Sequence, residues 1–72
     1  MHKDYKDLGI EKRLIELRIK AGLTQKEVAD MLYISEKKYI RIESGEAELM
    51  SNHLYKLCHL YKCSSDYILF GE

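Results

Sequence analysis

Apolar positions along this chain recur at helical spacing. Ile10, Leu14, Leu17 and Ala21 follow one another at steps of four, three and four, which places them in one stripe of an α-helix. They predict a first helix over roughly 9–21, with Gly22 ending it as a left-handed C′ residue. Thr24-Gln25-Lys26-Glu27 reads as a capping box, the Thr24 hydroxyl accepting from the Glu27 amide and the Glu27 carboxylate reaching back to the Thr24 amide. It opens a second helix, about 25–32, with Val28, Ala29 and Leu32 inward. Tyr33-Ile34 leaves room only for a tight turn. Ser35 then caps a third helix, about 36–44, with Tyr39 and Ile42 on its inner face and Gly45 stopping it. Ser51 is expected to cap a fourth helix carrying Leu54, Leu57, Cys58 and Tyr61 at i, i+3, i+4, i+7. Ser64 caps a short fifth helix, about 65–70, before Gly71. The pattern predicts an all-α, compact five-helix domain over 9–72 behind an N-terminal arm, 1–8.

Composition agrees. The 72 residues allow one domain with one small core. Absence of proline and a count of four glycines favour helices joined by short turns over a many-cornered sheet. Hydrophobic residues at 46% and charged residues at 33% are a globular balance. No apolar run approaches the roughly 18 residues of a membrane span, and Met1-His2-Lys3-Asp4-Tyr5 lacks the apolar heart of a signal peptide. A cytoplasmic protein with reduced thiols is the expectation, since Cys58 and Cys63 do not make a disulfide framework.

The second and third helices carry the functional signal. Two short helices joined by a tight turn form a unit whose second member can lie in the major groove while the first braces it. The close crossing demands a small inner residue, supplied by Ala29, and an apolar residue after the turn, supplied by Ile34. Tyr39 and Ile42 face inward, which leaves Glu36, Lys37, Lys38, Ile40 and Arg41 pointing outward.

The run Leu23-Thr24-Gln25-Lys26-Glu27-Val28-Ala29, then Ile34-Ser35, then Arg41-Ile42-Glu43-Ser44-Gly45, with the tail Ser65-Asp66-Tyr67-Ile68-Leu69-Phe70-Gly71, resembles the Cro and lambda-repressor-like helix-turn-helix family, also called XRE-type. The likeness runs from about Ile10 to Gly71 and rests on the ordered set at fixed spacing. It implies a transcriptional regulator, a repressor acting as a dimer, on double-stranded DNA. It implies that Gln25 contacts a phosphate and braces the first recognition residue. It also implies that Glu36, Lys37 and Arg41 face base edges, that Lys38 lies near the backbone, and that Arg18 and Glu43 pair to tie the first helix to the third.

Chemistry fits those roles. Lys37 and Arg41 can donate to guanine O6 and N7, Glu36 can accept from cytosine N4, and Ile40 can touch a thymine methyl. Lys20, Lys26 and Lys38 are candidates for phosphate neutralisation, with Ser35 and Ser44 hydroxyls beside them. The apolar excess at Tyr67, Ile68, Leu69 and Phe70 points to a dimer contact or a docked protein partner.

The chain departs from the family pattern in three places. Tyr33 stands where glycine is usual, in a turn that visits positive φ, at a cost of about 1 kcal/mol. Ser44 replaces the commoner asparagine. The loop Gly45-Glu46-Ala47-Glu48-Leu49-Met50 carries two carboxylates where relatives often place Lys or Arg; either it points away from phosphates, or affinity is modest and depends on dimerisation.

Net charge is zero, against the basic excess usual in nucleic-acid binders. Residues 1–23 hold six basic and four acidic side chains, 24–45 four of each, and 46–72 two and four. These facts keep open a rival of another class, an antitoxin or protein-interaction adaptor on the same fold that binds DNA weakly. Tyr39, Tyr61 and Tyr67 fall on core-facing positions, which favours packing over base stacking. His53, Cys58, His59 and Cys63 are soft ligands within eleven residues, but they cannot converge without breaking the fourth helix. No metal, no cofactor and no catalytic activity are expected.

Overall fold

The computed structural model describes residues 9–72; the arm expected over 1–8 lies outside the described residues. Five helices follow in order: α1 (Ile10–Lys20), α2 (Gln25–Met31), α3 (Glu36–Glu43), α4 (Ser51–Tyr61) and α5 (Ser65–Phe70). No strand occurs among the described residues.

Local chemistry sets most of the boundaries. The capping box at Thr24 is complete, with Glu27 N donating to Thr24 Oγ1 at 3.0 Å and Thr24 N donating to Glu27 Oε1 at 2.9 Å. Ser35 and Ser64 accept from the amides of Lys38 (3.1 Å) and Tyr67 (3.0 Å). The fourth helix differs from expectation. Met50 is its N-cap, without a side-chain cap bond, and Ser51 is its first helical residue. Leu49, which packs against the core, fixes the approach of the chain and overrides the capping preference of serine.

Ile10, Leu14, Val28, Ala29, Leu32, Tyr39, Ile42, Leu57 and Ile68 form the core. Each large aliphatic side chain removed from water here contributes about 1.5–3 kcal/mol. α2 packs on α3, α1 touches both α3 and α5, and α4 rests against α5. Ala29 is wholly buried at the α2–α3 crossing and Ile34 is half-buried against the core, as their spacing implied.

Three expectations about packing are corrected. Ala21 lies beyond the last turn of α1, as its C-cap, and is exposed. Tyr67 is 36% exposed and does not enter the core. Ile68, expected at a dimer contact, is wholly buried within this chain. A six-residue helix docked on α1 and α4 turns one side inward, and Ile68 occupies that side.

Tyr33 has φ 59°, the left-handed conformation expected of the turn between α2 and α3. Its exposed ring lies beneath Lys56, whose Nζ is 4.6 Å from the ring centroid. A cation–π contact at so exposed a site offsets part of the backbone strain, about 0.5–1 kcal/mol.

Candidate nucleic-acid interface

The outer face of α3 carries Glu36, Lys37, Lys38, Ile40 and Arg41, all exposed. Tyr39 and Ile42 anchor the opposite face in the core. Lys37 and Arg41 are four residues apart, as are Glu36 and Ile40, so each pair shares a side of the helix. Ser35 sits at the amino end, its hydroxyl oxygen engaged as the cap. At the carboxyl end, Ser44 Oγ donates to Arg41 O at 3.1 Å.

A buried carboxylate holds this helix in place. Glu43 is only 3% exposed and needs partners for both oxygens. Arg18 Nε donates to Oε2 at 2.6 Å and Nη2 to Oε1 at 3.3 Å. Arg18 Nη1 donates to Leu23 O at 3.0 Å. The hydrogen bond to Glu43 raises the Arg18 pKa above its ordinary value. One cluster thus links α1, the loop before α2, and α3, and the expected Arg18–Glu43 pair is present.

Gln25 completes the cluster. Its Nε2 donates to Glu43 Oε1 at 3.0 Å, so α2 is tied to the same carboxylate. Gln25 thus bonds to the last residue of α3, Glu43, and not to the first recognition residue, Glu36. From the sequence the carboxylate was assigned Arg18 alone; Gln25 shares Oε1 with Arg18 Nη2.

Two tyrosines back the cluster. The hydroxyls of Tyr39 and Tyr61 are buried without a well-aligned hydrogen bond. Burial, with the Glu43 carboxylate nearby, holds the Tyr39 phenol far above its ordinary range and pushes Tyr61 up to about 12. Both stay protonated at neutral pH.

Charges around the face are partly compensated. Arg41 Nε lies 3.8 Å from Glu46 Oε1, with both side chains more than half exposed. The acidic loop thus leans toward the recognition face at Glu46. Lys26 Nζ lies 3.6 Å from Asp30 Oδ2 on the surface of α2. Exposed pairs of this kind are worth about 0–1 kcal/mol and break readily for a phosphate. Lys20 is exposed at the end of α1.

Two structural side chains escaped the sequence reading. Arg13 Nε donates to Ile68 O at 2.8 Å and Nη2 to Leu69 O at 2.9 Å, satisfying carbonyls that α5 leaves open at its end. Its partners are 55 and 56 residues away, beyond any local pattern. His53, considered only as a metal ligand, lies in the first turn of α4, is 6% exposed, and its Nδ1 lacks a partner. Among the described residues, no group of three or more His, Cys, Asp or Glu is placed to hold a metal ion. No helix among them is long and apolar enough to cross a membrane.

Two short helices crossing at Ala29, with the second turned outward and locked by a buried ion pair, define a helix-turn-helix domain. The chain belongs to the XRE-type helix-turn-helix family: the helix-turn-helix family HTH_3 matches residues 14–68. It is 40% identical over 62 residues to the HTH-type transcriptional regulator ImmR of Bacillus subtilis (strain 168), an alignment covering 86% of this chain and 49% of that protein. It is also 33% identical over 74 residues to a glutamine–fructose-6-phosphate aminotransferase (isomerizing) of Methanocaldococcus jannaschii, covering this whole chain and 7% of that protein. The chain therefore spans about half the length of the first relative and a small part of the second. No solved structure matches.

Proposed function

We propose that this chain binds double-stranded DNA in a sequence-specific manner and regulates transcription in the cytoplasm, as a repressor working as a homodimer. The observation that carries this reading is the outward face of α3, held by the Arg18–Glu43–Gln25 cluster. Rigid placement of the reading helix lets a few side chains meet base edges in register.

In this reading Lys37 and Arg41 donate to guanine, Glu36 accepts from cytosine N4, and Ile40 meets a thymine methyl. Lys26, Lys38, Ser35 and Ser44 contact phosphates, with Lys20 supplying further positive charge. Gln25 spends one amide hydrogen on Glu43 and keeps a second for a phosphate. Tyr67 and Phe70, 36% and 52% exposed, contribute the dimer contact with the rim of Leu69; Ile68 drops out because it is buried in its own core. The reading assigns no catalysis.

Selection of bound sites from a random duplex pool tests it. The expected product is an inverted repeat with half-sites about 34 Å apart. Arg41→Ala is expected to relax choice at one position in each half-site by about 1–3 kcal/mol. Uniform weakening across all sequences would make Arg41 a phosphate contact, and absence of any enriched site would overturn the proposal.

The Arg41–Glu46 pair and the zero net charge favour a second reading, an antitoxin or adaptor that binds protein first. Salt separates the two. A DNA reader loses log affinity with log salt at a slope of about −0.9 per phosphate neutralised, whereas an adaptor shows little duplex binding at any salt.

A further inference from the structure

The turn from α4 to α5 is built in a way that brings both cysteines together. Lys62 adopts the left-handed conformation with φ 54°, and Cys63 N donates to Cys58 O at 3.1 Å. This six-to-one bond is that of a Schellman motif, which a side-chain contact between the residues at its two ends frequently accompanies. Here those residues are Cys58 and Cys63, both half-buried with free thiols.

Covalent geometry bounds their separation. With a 3.1 Å bond between Cys63 N and Cys58 O, standard backbone lengths and the fixed angle at the Cys58 carbonyl keep the two Cα atoms within about 7 Å of each other. That ceiling coincides with the outer limit of Cα separation that a disulfide bridges, about 7 Å. Both cysteines also line one open depression of about 460 Å³ with Tyr55, His59, Lys62 and Ser64, through which a small oxidant reaches them.

We propose that Cys58 and Cys63 form a dithiol site that takes a low-molecular-weight disulfide as substrate and closes to an intramolecular disulfide. One cysteine thiolate attacks a sulfur of RSSR, forming a protein–SR mixed disulfide and expelling RS⁻. The second cysteine, after losing its proton, attacks the protein sulfur of that mixed disulfide and expels a second RS⁻. The two thiols lose two electrons and two protons; RSSR gains both and leaves as two RSH. Burial raises both thiols above their ordinary pKa, and Cys58 nearby raises Cys63 further. Closure is therefore slow at neutral pH and faster as the solution becomes alkaline.

The test uses the whole chain in buffers of oxidised and reduced glutathione at graded ratios, read by intact mass after acid quench. The expected product is a monomer lighter by two hydrogen atoms and free of glutathione. Its equilibrium constant is expected to exceed that of the same chain in guanidinium by about tenfold or more, because the fold holds the thiols together. Cys58→Ser and Cys63→Ser are each expected to stop at one glutathione adduct. A doubly glutathionylated chain, a disulfide-linked dimer, thiols that stay inert when folded, or an equilibrium no better than in guanidinium would each overturn the proposal.

Discussion

Glu43 shows how much of the motif rests on one side chain. Its oxygens are shared by Arg18 and Gln25, so three elements lose an anchor when it is cut away. Removing one partner of a buried pair leaves the other charge uncompensated and costs about 3–5 kcal/mol. A domain of this size holds only about 4–11 kcal/mol in total. Glu43→Ala is thus expected to lower the urea midpoint drastically or abolish cooperative unfolding, while Lys37→Ala, on the exposed face, shifts stability by no more than about 0.5 kcal/mol. His53 sets a second residue-scale expectation. Burial, then Lys38 and Lys56, lower its pKa below the ordinary 6.5, so the folded chain binds this proton less readily than the unfolded one. The stabilising preference for neutral His53 is fully present above that ordinary value and drains away as pH falls through it toward the folded pKa. Melting temperature is expected to drop as pH falls below the ordinary histidine value of 6.5, and His53→Leu to flatten part of that slope. Neither the Gln25–Glu43 bond nor the burial of His53 was legible in the sequence. The first needs two helices already crossed, and the second depends on which side of α4 the assembled fold turns inward.

At the scale of elements the sequence was more informative, because helix ends are written in local chemistry. Thr24, Ser35 and Ser64 are caps that satisfy amides three residues ahead, and the left-handed turn at Tyr33 was implied by the family resemblance, in which glycine is usual at that position. Where tertiary packing competes with a local preference, the reading slipped by a residue, as at Met50 and Ser51. Ile68 was misplaced for a related reason: counting apolar residues on a short helix does not say which side docks. The cap that closes α5 is the clearest non-local feature. Arg13→Ala removes two donors from the Ile68 and Leu69 carbonyls, and each such loss costs about 1–3 kcal/mol. Hydrogen exchange is expected to show amides of α5 losing protection well before those of α2 and α3. Uniform loss across all helices would instead mean that α5 and the core open together.

For the molecule as a whole, charge and shape pull in different directions. A chain with no net charge gains little from long-range steering toward DNA. Its affinity in the proposed role comes from local cations on α2 and α3 and from doubling the contacts in a dimer. Arg41, more than half exposed and only 3.8 Å from Glu46, carries both possibilities: it exchanges a carboxylate for guanine in a reader, and keeps it in an adaptor. The central claim is that the face of α3 meets the duplex. Amide chemical-shift mapping of the labelled chain, titrated at low salt with a duplex recovered from the random pool, measures this most directly. The account predicts the largest shifts over residues 35–44 and at the start of α2 around Gln25 and Lys26. Shifts concentrated on α4 and α5 with α3 unmoved would contradict it.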